Sequence, residues 1–219
     1  IYKDGFCIST DADFVITEQA IGNNNYIDFS AASTNGRART FVNTGFAHSG
    51  IRSLTLDQSP YTEINNVDSL TLNYNLVAYA ADELRFDFYY FNHGQASNAN
   101  NKIWIRGSEN NVWLPAYDLF VNQAGLGKWA HGQVNINEIL NTAVPEQKIT
   151  ETFQIKIGEE GNTSANDPTP VIDIDDGYTF DDLTLNQVFN DLELKKINSP
   201  GKTGCSLSAT SAINVTIKN

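Results

Sequence analysis

Apolar and polar positions alternate with a period of two along most of the chain. The pattern runs through IRSLTLD (51–57), SLTLNYNLVAY (69–79), ELRFDFYYFN (83–92), KIWIRG (102–107), VWLPAYD (112–118), TFQIKIG (152–158) and YTFDDLTL (178–185), each rich in β-branched or aromatic residues. Successive side chains of a strand point to opposite faces, so each segment predicts a half-buried β-strand. Clusters of Gly, Asn and Pro punctuate them. One segment, NEILNTA (137–143), predicts a short helix, with Asn137 capping the orphan amides and Pro145 blocking continuation. Many short strands joined by turn signals predict an all-β fold: an antiparallel β-sandwich, or jelly roll, with one short helix.

The alternation starts afresh after Leu185, and the Ser199-Pro200-Gly201 break follows. We therefore expect a sandwich domain over 1–186, and over 187–219 a linker with the first strands of a second, incomplete domain. An isolated half sandwich cannot bury its apolar face, so those strands need a partner surface. The core of the first domain has ample material: 41% of the 219 residues are hydrophobic, with 12 Phe, 9 Tyr and 3 Trp. Charge narrows the partners. With 26 acidic against 14 basic side chains the net charge is −12, which repels nucleic acid and anionic lipid at long range and attracts divalent cations. No apolar run approaches the roughly 20 residues that span a bilayer, so no membrane insertion is expected. The opening IYKDGFCIST lacks the regions of a signal peptide and the chain has no Met, as expected of a processed or excised chain.

Cys7 and Cys205 are too few and too far apart for a zinc site. If they pair as a disulfide, they tie the two ends of the chain together and add roughly 4–5 kcal/mol in the chain-entropy model. Pairing implies an oxidising, extracytoplasmic compartment; two unrelated buried thiols is the alternative.

The carboxylates of IDIDDGYTFDDLTL (172–185) raise the sharpest question. On an ideal strand Tyr178, Phe180 and Asp182 share one face and Asp181, Leu183 and Leu185 the other, so one carboxylate falls among apolar neighbours whichever face is core. A bulge that re-aims a side chain, or a bound cation, would compensate it. Asp173 and Asp175 also lie on one strand face about 7 Å apart, which suits a carboxylate pair for glycoside hydrolysis. Lectin-like glycosidases place a further acid where Tyr178 stands, and His48, His93 and His131 belong to no catalytic motif, so no enzyme is expected. Ligand-binding candidates are aromatic. Trp104 and Arg106 share the face opposite Ile103 and Ile105, and Tyr89 shares that of Arg85 and Asp87. If exposed, such rings stack on a sugar while their neighbours bond its hydroxyls; core packing is the alternative.

The stretches LRFDFYYFNHG (84–94), KIWIRGS (102–108), AYDLF (116–120), FQIKIGEEG (153–161) and DGYTFDDL (176–183) resemble the jelly-roll domains of large surface proteins exported by the type nine secretion system of gliding bacteria. Those domains are similar in turn to MAM and cleaved-adhesin sandwiches. INSPGKTGCSLS (197–208) with INVTIKN (213–219) resembles the start of an immunoglobulin-like repeat. The resemblance implies a non-catalytic adhesion or binding domain at the cell surface or outside the cell, with the secretion machinery, a surface polysaccharide and further domains of the same polypeptide as partners. It also implies a structural calcium (Ca2+) near the end of the last strand, held among Asp176, Asp181 and Asp182. Glu160 in the GEEG turn and Asp11 or Asp13 in STDADF would complete its shell. The alternative reading is a carbohydrate-binding module appended to a secreted polysaccharide-degrading enzyme or protease, and the third is a lectin-like glycoside hydrolase.

Overall fold

The computed structural model describes residues 2–3, 6–8, 14–16, 26–31, 36–41, 47–50, 53–58, 66–125, 127–161, 177–188, 193–199 and 214–218. Its strands are β1 (Tyr2–Lys3), β2 (Phe6–Ile8), β3 (Phe14–Ile16), β4 (Tyr26–Ala31), β5 (Gly36–Phe41), β6 (Ser53–Gln58), β7 (Asn66–Tyr74) and β8 (Leu84–Asn92). They continue as β9 (Lys102–Arg106), β10 (Leu114–Asp118), β11 (Trp129–Asn135), β12 (Phe153–Gly161), β13 (Tyr178–Gln187), β14 (Glu193–Ser199) and β15 (Asn214–Lys218). One α-helix, α1 (Ile136–Leu140), follows β11. The chain divides into the units Ile1–Gln187 and Val188–Asn219, the second built on the β14–β15 hairpin.

The first unit is an antiparallel β-sandwich. One sheet runs β11-β8-β13-β6-β5, with β1 beside the far end of β13; the other runs β10-β9-β12-β7-β4. Period-two alternation sorts the side chains of both. From the first sheet Leu54, Leu56, Phe86, Phe88, Tyr90, Tyr178, Phe180, Leu183 and Leu185 turn inward, and from the second Leu70, Leu72, Ile103, Ile105, Phe153, Ile155 and Ile157. Together they form one buried cluster. Burial pushes the Tyr90 and Tyr178 hydroxyls well above the usual phenol range, and Tyr90 donates its proton to the Leu119 carbonyl.

Three differences from the sequence expectations have local causes. Asn137 does not cap the helix: Asn135 holds the N-cap position without a side-chain bond, and Asn137 instead accepts the Leu84 amide and donates to the Asp82 carbonyl, binding helix to strand. GEEG is not a turn, because β12 extends through Gly161. Glu159 therefore lies buried on the inner face opposite Asp68 of β7, also buried, and Glu160 lies on the outer face. The strands β4, β5 and β11 add to those that the alternation predicts. In β11, WAHGQVN, the inward positions are only Ala130, Gly132 and Val134, too small to register as a core stripe.

An ion pair fastens the edge of the second sheet. Lys102 and Asp118 are register partners across β9 and β10, and Asp118 Oδ1 also accepts the amides of Phe120 and Val121 at 3.1 and 2.9 Å. Burial pushes the Asp118 carboxyl upward, but Lys102 and these amides outweigh it and hold the group below the usual carboxylate range. A depressed folded-state pKa contributes stability above the unfolded value of about 3.9 and loses it as pH falls through the folded value. Asp118→Asn is thus expected to cost about 1–2 kcal/mol at pH 7 and almost nothing near pH 2, read by urea unfolding at both. Equal costs at the two pH values would refute this role.

Candidate functional site

A bulge re-aims the two carboxylates. The β13–β8 register shifts between Asp181 and Thr184, and Asp182 takes φ 50°, a left-handed conformation that Asp tolerates better than most residues. The extra residue sends Leu183 back into the core while both carboxylates meet the turn at His48 and Ser49. Asp181 Oδ2 accepts the amides of His48 and Ser49 at 2.7 and 3.0 Å, and its Oδ1 accepts the Asp182 amide at 2.7 Å. Asp182 accepts the Ser49 hydroxyl on Oδ1 and lies 2.7 Å from His48 Nδ1 through Oδ2. Burial raises the Asp181 carboxyl above its usual range despite these donors.

That turn covers part of the outer face of the first sheet. The His48 ring stacks on Tyr89 with centroids 3.6 Å apart and planes 12° from parallel, and meets Trp129 edge-on at 5.5 Å. Tyr89 therefore points outward with Arg85 and Asp87, as the alternation implies, but its ring is already stacked. Asp87 is a structural hub: it accepts Arg85 Nε at 2.8 Å, Asn186 Nδ2 at 3.2 Å and Gln133 Nε2 at 3.3 Å, with His131 Nε2 at 3.3 Å. His93 is buried, its Nε2 2.7 Å from Thr179 Oγ1.

Trp104 and Arg106 lie on the outer face of the second sheet, on the far side of the sandwich from Tyr89, so the three ligand-binding candidates do not form one site. Trp104 is partly exposed rather than packed in the core. The β9–β12 register sets Trp104 opposite Lys156 and Arg106 opposite Gln154. Trp113, one residue ahead of β10, completes the group. Its ring has the Arg106 guanidinium carbon 4.3 Å and Lys156 Nζ 4.6 Å from its centroid, and Lys156 Nζ is also 5.1 Å from the Trp104 centroid. Beneath, a polar ladder crosses three strands: Arg106 Nε donates to Gln154 Oε1, and Gln154 Nε2 donates to Asn73 Oδ1. Arg106 Nη1 donates to the Asn111 carbonyl at 3.2 Å. Burial, and secondarily Arg106, pulls the Lys156 ammonium below its usual pKa, and burial likewise lowers Arg106, opposed by Glu109. Sequence reading missed Trp113, Lys156 and Gln154. Gln154 and Lys156 share the outward parity of TFQIKIG, but which neighbour they face is set by strand register.

The described carboxylates of the other candidate groups have partners of their own. Glu160 Oε2 accepts the backbone and side-chain N–H of Asn100 at 3.1 and 3.0 Å, while Asp181 and Asp182 are engaged by the 48–49 turn. Among the described residues no three His, Cys, Asp or Glu come together as a metal-binding group. Asp11, Asp13, Asp173, Asp175 and Asp176 lie outside the described residues, as does Cys205, so the proposed calcium shell, the Asp173/Asp175 pair and the Cys7–Cys205 disulfide fall outside them too. Among the described residues no helix is long and apolar enough to cross a membrane.

No protein-family model and no curated protein matches the sequence. Among solved structures, the chain is similar to TmCBM61 in complex with beta-1,4-galactotriose at 13% identity, covering 74% of this chain and 88% of that one with a TM-score of 0.46. It is also similar to the family 11 carbohydrate-binding module of the cellulosomal cellulase Lic26A-Cel5E of Clostridium thermocellum, at 10% identity, 78% and 93% coverage and a TM-score of 0.40. A structure described under carbohydrate-binding modules from the beta-sandwich superfamily gives 13% identity, 80% and 66% coverage and a TM-score of 0.41.

Proposed function

We propose that the 1–187 unit is a non-catalytic carbohydrate-binding module of a secreted protein, with its site on the outer face of the β10-β9-β12-β7-β4 sheet. The observation that carries this reading is the group formed by Trp104, Trp113, Lys156 and Arg106 over the Gln154–Asn73 ladder. Indole rings take the C–H face of a pyranose, and amide, guanidinium and ammonium donors take its hydroxyls. The opposite face suits this less well, because His48 already stacks on Tyr89 and the Asp87 carboxylate is saturated by its neighbours. A purely protein-adhesive role has less support: the exposed large hydrophobics among the described residues are single valines, such as Val112, Val121 and Val144, rather than an aromatic patch. Carriage by the type nine secretion system would be one route to the cell exterior for such a module.

Affinity electrophoresis through gels holding a panel of neutral and acidic polysaccharides tests the proposal. At least one should retard the protein, and Trp104→Ala should weaken that binding about tenfold or more, in line with about 1–3 kcal/mol lost per stacking ring, with the melting temperature little changed. Trp129→Ala, on the opposite face, should bind as the wild type does. Absence of retardation by every polymer, or equal binding by the Trp104 variant, would refute the reading.

A further inference from the structure

We infer that the polysaccharide taken by the Trp104–Trp113 face is anionic, with a sugar carboxylate or sulfate seated between Lys156 and Arg106. This rests on the carbohydrate-binding reading and specifies its ligand. Two cations that share one indole ring repel each other, and each loses hydration in its partly buried position. Among the described residues neither makes an ion pair with a carboxylate; the acidic influence on Arg106 is that of Glu109, an exposed residue of the turn after β9. Among the described residues Lys156 Nζ has the two rings as its partners, and the Arg106 donors Nε and Nη1 are engaged by Gln154 and Asn111. A cation–π contact offsets only part of that lost hydration, and a charge-assisted bond to an anion would offset more.

The charge of the whole chain sharpens the point. With 26 acidic side chains against 14 basic ones, the acids available to neutralise a cation are in excess, yet among the described residues these two adjacent cations form no ion pair with one. An anionic group on a sugar ring supplies that counter-charge, and the ring that carries it lies within reach of an indole face. The overall negative charge opposes approach of a polyanion at long range, so affinity must come from short-range contacts at this face.

The test uses the whole chain and three polymers: polygalacturonate for carboxylate, a sulfated galactan for sulfate, and a neutral β-glucan. Isothermal titration calorimetry is run at 20 and 500 mM NaCl. Binding to polygalacturonate or to the sulfated galactan, at least tenfold tighter than to the β-glucan and weakened several-fold by salt, is the expected result. The polymer preferred shows which anion is read. Lys156→Gln and Arg106→Gln should each reduce that affinity about tenfold, and Arg106→Lys should restore part of it. Equal affinity for the neutral β-glucan, unaffected by Lys156→Gln, would overturn the anionic assignment while leaving carbohydrate binding intact. Failure to bind all three and every polymer of the wider panel would instead overturn the carbohydrate reading itself.

Discussion

Replacing Phe88 by alanine is expected to lower the unfolding free energy of the 1–187 unit by about 3–5 kcal/mol, the largest effect anticipated for a single residue here. Phe88 is fully buried at the centre of β8. Its ring packs between Phe86 at 5.2 Å and Tyr90 at 5.8 Å, and Tyr117 meets it edge-on at 5.3 Å from the opposite sheet, so truncation opens a void that these three rings cannot close by small shifts. Its register partner in β11 is Gly132, which has no side chain because the Phe88 ring fills the place where a Cβ would stand. Gly132→Val should therefore overpack the core and cost about 1–3 kcal/mol by itself. In the double variant Phe88→Ala/Gly132→Val the valine enters the void left by the ring. The combined cost should fall below the sum of the single costs by more than about 1 kcal/mol, measured by urea denaturation. Strict additivity would mean that the ring and the glycine are not coupled.

Asp181→Ala is expected to cost about 2–4 kcal/mol, because it removes the acceptor of three backbone amides at once. His48, Ser49 and Asp182 would be left without that partner, and the His48 turn would lose its anchor on β13. The variant should then show faster hydrogen exchange at the His48 and Ser49 amides, and a change in Tyr89 environment as the stacked imidazole departs. Asp182→Asn should be milder, below about 1 kcal/mol, since Asn also tolerates the left-handed backbone and can accept from Ser49. A variant with wild-type stability and unaltered exchange at His48 and Ser49 would remove Asp181 from this role.

The second effect shows what lay beyond local pattern. Alternation in YTFDDLTL required that one of two aspartates be compensated, and that conflict was legible in eight residues. The compensating groups were not, because His48 and Ser49 stand 133 and 132 positions away from Asp181 in the chain. Likewise Trp104 and Arg106 are recognisable as sharing the face opposite Ile103 and Ile105, and Tyr89 as sharing that of Arg85 and Asp87, but a period of two says only which residues share a face. It does not say that Tyr89 and Trp104 belong to opposite sheets.

The all-β character, the position of seven long strands and the parity of their side chains are therefore legible in the chain, since these follow from the pleat and from the burial of Phe, Leu and Ile at every second position. Its weaker strands, β4, β5 and β11, and the true role of Asn137 depended on partners elsewhere in the chain. The tertiary structure alone decided that Lys156 falls opposite Trp104, that Trp113 brings its ring over Arg106 and Lys156, and that His48 closes over Tyr89. Strand parity is a property of neighbours along the chain, whereas cross-strand register and loop placement are selected by the fit of the whole core, so the side chains they juxtapose share no local signal.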